Sequence, residues 1–140
     1  MVGAWLALAC FVACGPLTVP RPSHVQVVAD DYVAVPFTPQ PPPVELVPAR
    51  PAAAGDLVWA DGGWEWNGER FRWSPGAWVV VPPGAKRARW VVVRREIDGQ
   101  LFFAPSSWRD AAGKPIAAPK PLARAVTRAG GPAAGAAAEE

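Results

Sequence analysis

Three kinds of side chain could carry chemistry here: carboxylates set among aromatics, a pair of cysteines, and a dense group of indoles. Asp61, Glu65 and Glu69 stand in or beside the run WADGGWEWNGERFRWSPGAW over 59–78. Carboxylates flanking a sugar-binding aromatic site are the equipment of a glycosidase. The sole histidine, His24, has no ligand cluster around it in the sequence, and the serines have no base beside them. A catalytic role would need such a partner within hydrogen-bond reach. Cys10 and Cys14 are the only cysteines. The rest of the chain therefore has no disulfide framework and no Cys-based metal site.

The indoles follow a pattern. Trp59-x-x-Gly62-x-Trp64 and Trp73-x-x-Gly76-x-Trp78 are one motif repeated fourteen residues apart. Between them Asn67-Gly68 joins two aromatic-rich runs, a strong hairpin signal, since both central residues of a type I′ turn need positive φ. That turn sets Trp64 opposite Phe71, Glu65 opposite Arg70 and Gly62 opposite Trp73. Alternation then gathers Trp64, Trp66, Phe71 and Trp73 on one face and Glu65, Arg70 and Arg72 on the other. Glu65 becomes an ion-pair partner rather than the proton donor a glycosidase requires, and the chain is expected not to be an enzyme. Gly62 would leave room for the Trp73 indole, and Ser74-Pro75-Gly76-Ala77 has the Pro and Gly of a type II turn. Further strands are expected over 78–81, 89–96 and 101–103, with Asp98-Gly99 turning the last two in either of two registers. Phe103-Ala104-Pro105-Ser106-Ser107-Trp108 is a third, decayed copy of the motif.

The whole chain has 140 residues and a net charge of +2, too weak a basic balance for a nucleic-acid partner. Lys86, Arg87, Arg89, Arg94 and Arg95 are expected on a solvated strand face that discourages edge-to-edge association. Ten of the 18 prolines lie between Pro16 and Pro51, which favours an extended tether, in which His24-Val25-Gln26-Val27 and Val33-Ala34-Val35 could each lend a short edge strand and Val44-Glu45-Leu46-Val47 could add one to the domain's edge. The expected organisation is a leader over 1–14, a Pro-rich tether over 15–54, a Trp-rich β module over 55–110 and a disordered Ala-rich tail over 111–140. The fold class is all-β, a small antiparallel sheet or meander of hairpins.

Residues 2–13 form an uncharged apolar run of signal-peptide size, too short to span a bilayer. It ends in Phe11-Val12-Ala13-Cys14-Gly15, which resembles the lipobox of bacterial lipoproteins. Cys14 is the expected lipidation site and Cys10 the second candidate, with Phe11 departing from the usual Leu. The two intact copies resemble the WXXGXW repeat family of Trp/Gly/Pro-rich β modules in bacterial exported proteins and lipoproteins. These resemblances imply a lipid-anchored protein of the bacterial cell envelope, at the outer membrane, with no cofactor. The membrane, through the anchor, and an envelope protein or glycan are the expected partners. Exposed Trp64, Trp66 and Trp73 would be the residues to stack on a sugar.

Overall fold

A computed structural model describes residues 18–128, so Cys10 and Cys14 lie outside the described residues. The architecture is all-β, as expected, with one 3-10 turn at Ala29–Asp31 and thirteen short strands among the described residues. In chain order these are β1 (Val33–Val35), β2 (Glu45–Leu46), β3 (Asp56–Ala60), β4 (Gly63–Trp66), β5 (Phe71–Ser74), β6 (Ala77–Val81), β7 (Lys86–Ala88), β8 (Val91–Arg94), β9 (Leu101–Ala104), β10 (Ser107–Arg109), β11 (Pro115–Ile116), β12 (Ala123–Arg124) and β13 (Val126–Thr127).

Two long hairpins make up the body, and each is broken in the middle. In the first, β3 pairs with β6 up to Ala60 opposite Ala77, and β4 resumes pairing with β5 at Gly63 opposite Ser74. The register is unchanged across the break, because two residues are skipped on each side, Asp61-Gly62 and Pro75-Gly76. The second hairpin repeats the design. Ala88 pairs with Ser107 below its break and Val91 with Ala104 above it, so Arg89-Trp90 and Pro105-Ser106 are skipped. The strand expected over 89–96 is therefore shortened to β8, Val91–Arg94, because Arg89-Trp90 form the break, and β7 just before it belongs to a different sheet.

The hairpins pack on one another half against half. Near the chain ends of the hairpins, Val58, Ala60, Ala77, Val79 and Val81 meet Ala85 and Trp108. Near the turns, Trp64 meets Val35, Leu101 and Phe103, with Trp66, Phe71, Trp73, Trp90 and Val92 around them. Phe71 and Phe103 join the two tips edge to face, their centroids 5.0 Å apart. Phe103 is fully buried and Phe102 is not, but neither of the two registers expected at Asp98-Gly99 forms, since Arg94 pairs with Leu101. The connection is a longer loop than either: the Arg95 N–H donates to the Gln100 carbonyl at 2.8 Å, and Gly99 has φ +71°.

The segments expected to be a tether and a tail add strands to this body. β1 pairs with β9, β11 with β10, β12 with β6, and β2 with β13. The boundaries at 55 and 110 thus fall inside one set of contacts. Proline removes donors and blocks central strands, but each of these strands is only two or three residues long and pairs at an edge, where a neighbouring proline does little harm.

Arg109 closes the far end of the second hairpin. Its side chain is buried and its Nη2 meets both oxygens of Asp31, at 2.7 and 2.6 Å, while Nη1 donates to the Gly113 carbonyl at 2.9 Å. Burial opposes ionisation of Asp31, but the Val28 N–H and the Arg109 guanidinium outweigh it and hold the carboxyl below its ordinary range. Stabilisation from a depressed carboxyl is present above its unfolded-state pKa and is lost as pH falls through the folded-state value. Asp31→Asn, which strands a buried guanidinium, should lower stability by about 2–4 kcal/mol at pH 7. Urea titrations at pH 7 and pH 3 should also show a smaller loss on acidification in the variant than in the parent.

Candidate functional site

The repeat motif folds as two copies that exchange side chains. Trp59 of the first copy is the ladder partner of Trp78 of the second, and Trp64 is the partner of Trp73. Both pairs meet edge to face, with centroids 5.7 and 5.3 Å apart, the geometry that the ring quadrupoles favour. The odd spacing between the two tryptophans of one copy sends them to different places. Trp59 and Trp78 lie with Leu57 beneath Val80, Ala123 and Ala125, whereas Trp64 enters the core between the hairpin tips.

The glycines serve the same exchange. A Cβ on Gly62 would strike the indole of Trp73, and one on Gly76 would come within 2.7 Å of the Trp59 indole and 2.9 Å of the Ala60 carbonyl. Each copy's glycine thus makes room for the first tryptophan of the other. Clearance for Trp73 is as expected at Gly62, but the type II turn at 74–77 is not formed, since Gly76 does not have positive φ. Tryptophan contact, rather than backbone conformation, accounts for glycine there.

The tip turn also differs from expectation. Gly68 has φ +100° and no non-glycine residue has positive φ among the described residues, so a type I′ turn centred on Asn67-Gly68 is excluded. The Asn67 N–H donates to the Arg70 carbonyl at 3.3 Å, and its side-chain Oδ1 accepts from the N–H groups of Glu69 and Arg70 at 3.0 and 2.9 Å. Asparagine acts through its side chain, and the central pair becomes Gly68-Glu69. Glu65 therefore faces Arg72, and Trp66 faces Phe71. A partner shift of two residues preserves the faces, so the aromatic grouping survives the altered register.

Glu45, which the sequence placed only at an edge, sits in the break of the first hairpin. Its Oε1 accepts from the Trp73 indole N–H at 2.8 Å and from the Gly76 N–H at 2.9 Å. The Gly76 carbonyl in turn accepts from Ala125 at 2.7 Å, and the Trp78 indole N–H donates to Pro48 at 2.9 Å. Backbone and indole groups freed by the break are thus paired by residues on either side of the repeat.

Of the three residues expected to stack on a sugar, Trp64 is buried, and its N–H has no partner among the described residues. Trp66 is half-buried against Phe71 and the edge of Phe37, and Trp73 is half-buried with its N–H bound to Glu45. The three are packed against protein and do not form an open platform. Asp61 is ion-paired with Arg21, while Glu65 and Glu69 are exposed on the hairpin. Lys86, Arg89, Arg94 and Arg95 are exposed as expected, but Arg87 is buried. Desolvation pulls the Arg87 guanidinium below its ordinary value; the charge of Asp61 offsets part of this and Arg89 adds to it.

Residues 58–79 match the family model described as WXXGXW repeat, in two copies. The chain carries a tandem WXXGXW repeat. No match was found among curated proteins or solved structures. The WXXGXW match covers the first hairpin from Val58 to Val79, which includes all four paired indoles and both clearing glycines. The decayed copy occupies the equivalent place in the second hairpin. Phe103, Pro105, Ser106 and Trp108 stand at the positions held in the first by Trp73, Pro75, Gly76 and Trp78.

Gly62→Ala and Gly76→Ala should each cost about 1–3 kcal/mol, because a rigid indole must move. The near-UV circular dichroism of the paired indoles should change with them. Unaltered stability and spectrum in both variants would contradict the clearance role.

Proposed function

We propose that this chain is a non-enzymatic lipoprotein of the bacterial cell envelope, in which the WXXGXW hairpin is the structural centre of a protein-interaction module. The observation that carries the structural role is the fate of the indoles: Trp59, Trp64, Trp78 and Trp108 are each less than a tenth exposed. Residues of this size spent inside a small fold stabilise it through burial and are not free to stack on a ligand. The anchoring part rests on the apolar run over 2–13 and the lipobox-like ending at Cys14.

The fold shortens the expected spacer. The Trp59 N–H donates to the Pro20 carbonyl at 2.8 Å, so the chain joins the module at Pro20. Only residues 15–19 separate it from Cys14, a reach of about 20 Å when fully extended. A lipid on Cys14 would hold the module against the headgroups of the outer membrane, facing the periplasm or the cell surface, rather than at the end of a long stalk.

Mass spectrometry of the mature protein from membranes should find the chain starting at Cys14 with a diacylglyceryl mass, and Cys14→Ser should release it into the soluble envelope fraction. A mature chain that is unmodified and still begins at Met1 would overturn the anchor.

A further inference from the structure

The breaks of the two hairpins lie side by side. Where Gly63 leaves the first break, an added Cβ would come within 2.9 Å of Ser106 Oγ and 3.0 Å of the Trp90 ring, both at the second break. Beside this contact a cleft of about 410 Å³ is lined by prolines 42 and 43, the indoles of Trp73 and Trp90, the cations of Arg87 and Arg89, and the carboxylates of Glu45 and Asp61. Its charges are unevenly matched. Asp61 is paired with Arg21, and one oxygen of Glu45 is occupied by the Trp73 and Gly76 N–H groups. Arg87 is 8% exposed and its Nη2 donates to a neutral acceptor, the Asp61 carbonyl, at 2.7 Å. Arg89 Nη2 lies 2.9 Å from His24 Nε2. Among the described residues neither arginine has a carboxylate in ion-pair contact.

We propose that this cleft binds a carboxylated pyranose, such as a uronic acid residue of a glycan, with Arg87 and Arg89 taking the carboxylate and Trp73 and Trp90 bounding the sugar ring. A guanidinium buried without an anion is costly, and a carboxylate supplies the charge-assisted, bidentate partner it lacks. Among the remaining walls, which also carry the Glu45 and Asp61 carboxylates, the two indoles and two prolines suit the C–H surfaces of a pyranose and offer a bare anion little. The volume lies within the range of small-ligand sites. This site differs from a platform of Trp64, Trp66 and Trp73, and it does not depend on an anchor at Cys14.

The test is a proton–nitrogen NMR titration of the full chain with methyl β-D-glucuronide, methyl β-D-glucoside and acetate. The glucuronide should shift the indole signals of Trp73 and Trp90, with an affinity at least about tenfold above that of the other two, as expected for a charge-assisted pair added to ring contacts. Arg87→Gln should abolish the shifts. Arg89→Gln, at an exposed position that leaves the core untouched, should weaken binding about threefold or more and flatten its salt dependence. If Arg87→Gln loses the folded spectrum, the Arg89→Gln comparison decides alone, and unchanged binding there refutes the site. Equal binding of glucoside, acetate binding as tightly as glucuronide (an adventitious ion only), or no shift with glucuronide would each overturn the proposal.

Discussion

The carboxylate of Glu45 in the break of the first hairpin is the contact on which the surrounding structure depends. An antiparallel ladder satisfies its own backbone groups only while it continues, and here it cannot. Pro75 has no N–H to give, and the indoles of Trp59 and Trp73 occupy the space beside Gly76 and Gly62. The Gly76 N–H would be left unpaired in a half-buried place, which costs on the order of 1–3 kcal/mol. Glu45 Oε1 accepts that N–H together with the Trp73 indole, and Ala125 covers the Gly76 carbonyl from the other side. The proline-rich stretch and the start of the alanine-rich one are held to the body for this reason: the repeat has polar groups that only its flanks can pair.

The same constraint explains why the motif comes in tandem. One copy of W-x-x-G-x-W holds a glycine cleared for an indole that it does not itself supply. Two copies on opposite strands complete each other, Gly62 with Trp73 and Gly76 with Trp59, and set each tryptophan opposite one from the other copy. In the second hairpin the arrangement persists in altered form. Pro105 keeps its place in the break, while Ser106 stands where a glycine would be and its Oγ accepts the Trp90 N–H at 3.2 Å. The clearance is lost, and a side-chain hydrogen bond takes its place.

Much of this was legible in the residues, and the failures have specific causes. Alternation identified the aromatic face of Trp64, Trp66, Phe71 and Trp73 even though the turn was misassigned, because the shift moved partners by two and left the faces intact. Asn67-Gly68 misled because asparagine can enter a turn through its backbone or through its side chain, and the dipeptide does not say which. The edge strands offered by residues 33–35 and 44–47 form as β1 and β2, but proline content made the segment around them read as a tether, since composition reports what a segment cannot do centrally and says nothing of where its edge pairings attach. Glu45 carried no signal, because its role exists only once the break has formed. Arg87 looked like one more cation beside Lys86 and Arg89, and alternation alone could not reveal that this side of β7 meets another hairpin.

Arg87 shows where the two halves of the molecule part company. In the first hairpin the residue two before the break is Trp59, set opposite Trp78; in the second it is Arg87, set opposite Trp108. An edge-to-face indole pair has become a guanidinium 6.0 Å from an indole centroid. That cation–aromatic contact recovers about 1–2 kcal/mol when desolvated, well below the penalty of several kcal/mol for burying an ion. The Asp61 carbonyl is a neutral acceptor, and the Asp61 carboxylate, ion-paired with Arg21, offsets only part of the burial cost. One hairpin therefore closes its break with apolar packing, whereas the other keeps an incompletely compensated positive charge in the wall of a cleft. A scaffold needs only the first arrangement. The second destabilises the fold unless an anion arrives to complete it, and so it is beside Arg87, rather than on the tryptophans that define the repeat, that the physical argument for a ligand is strongest.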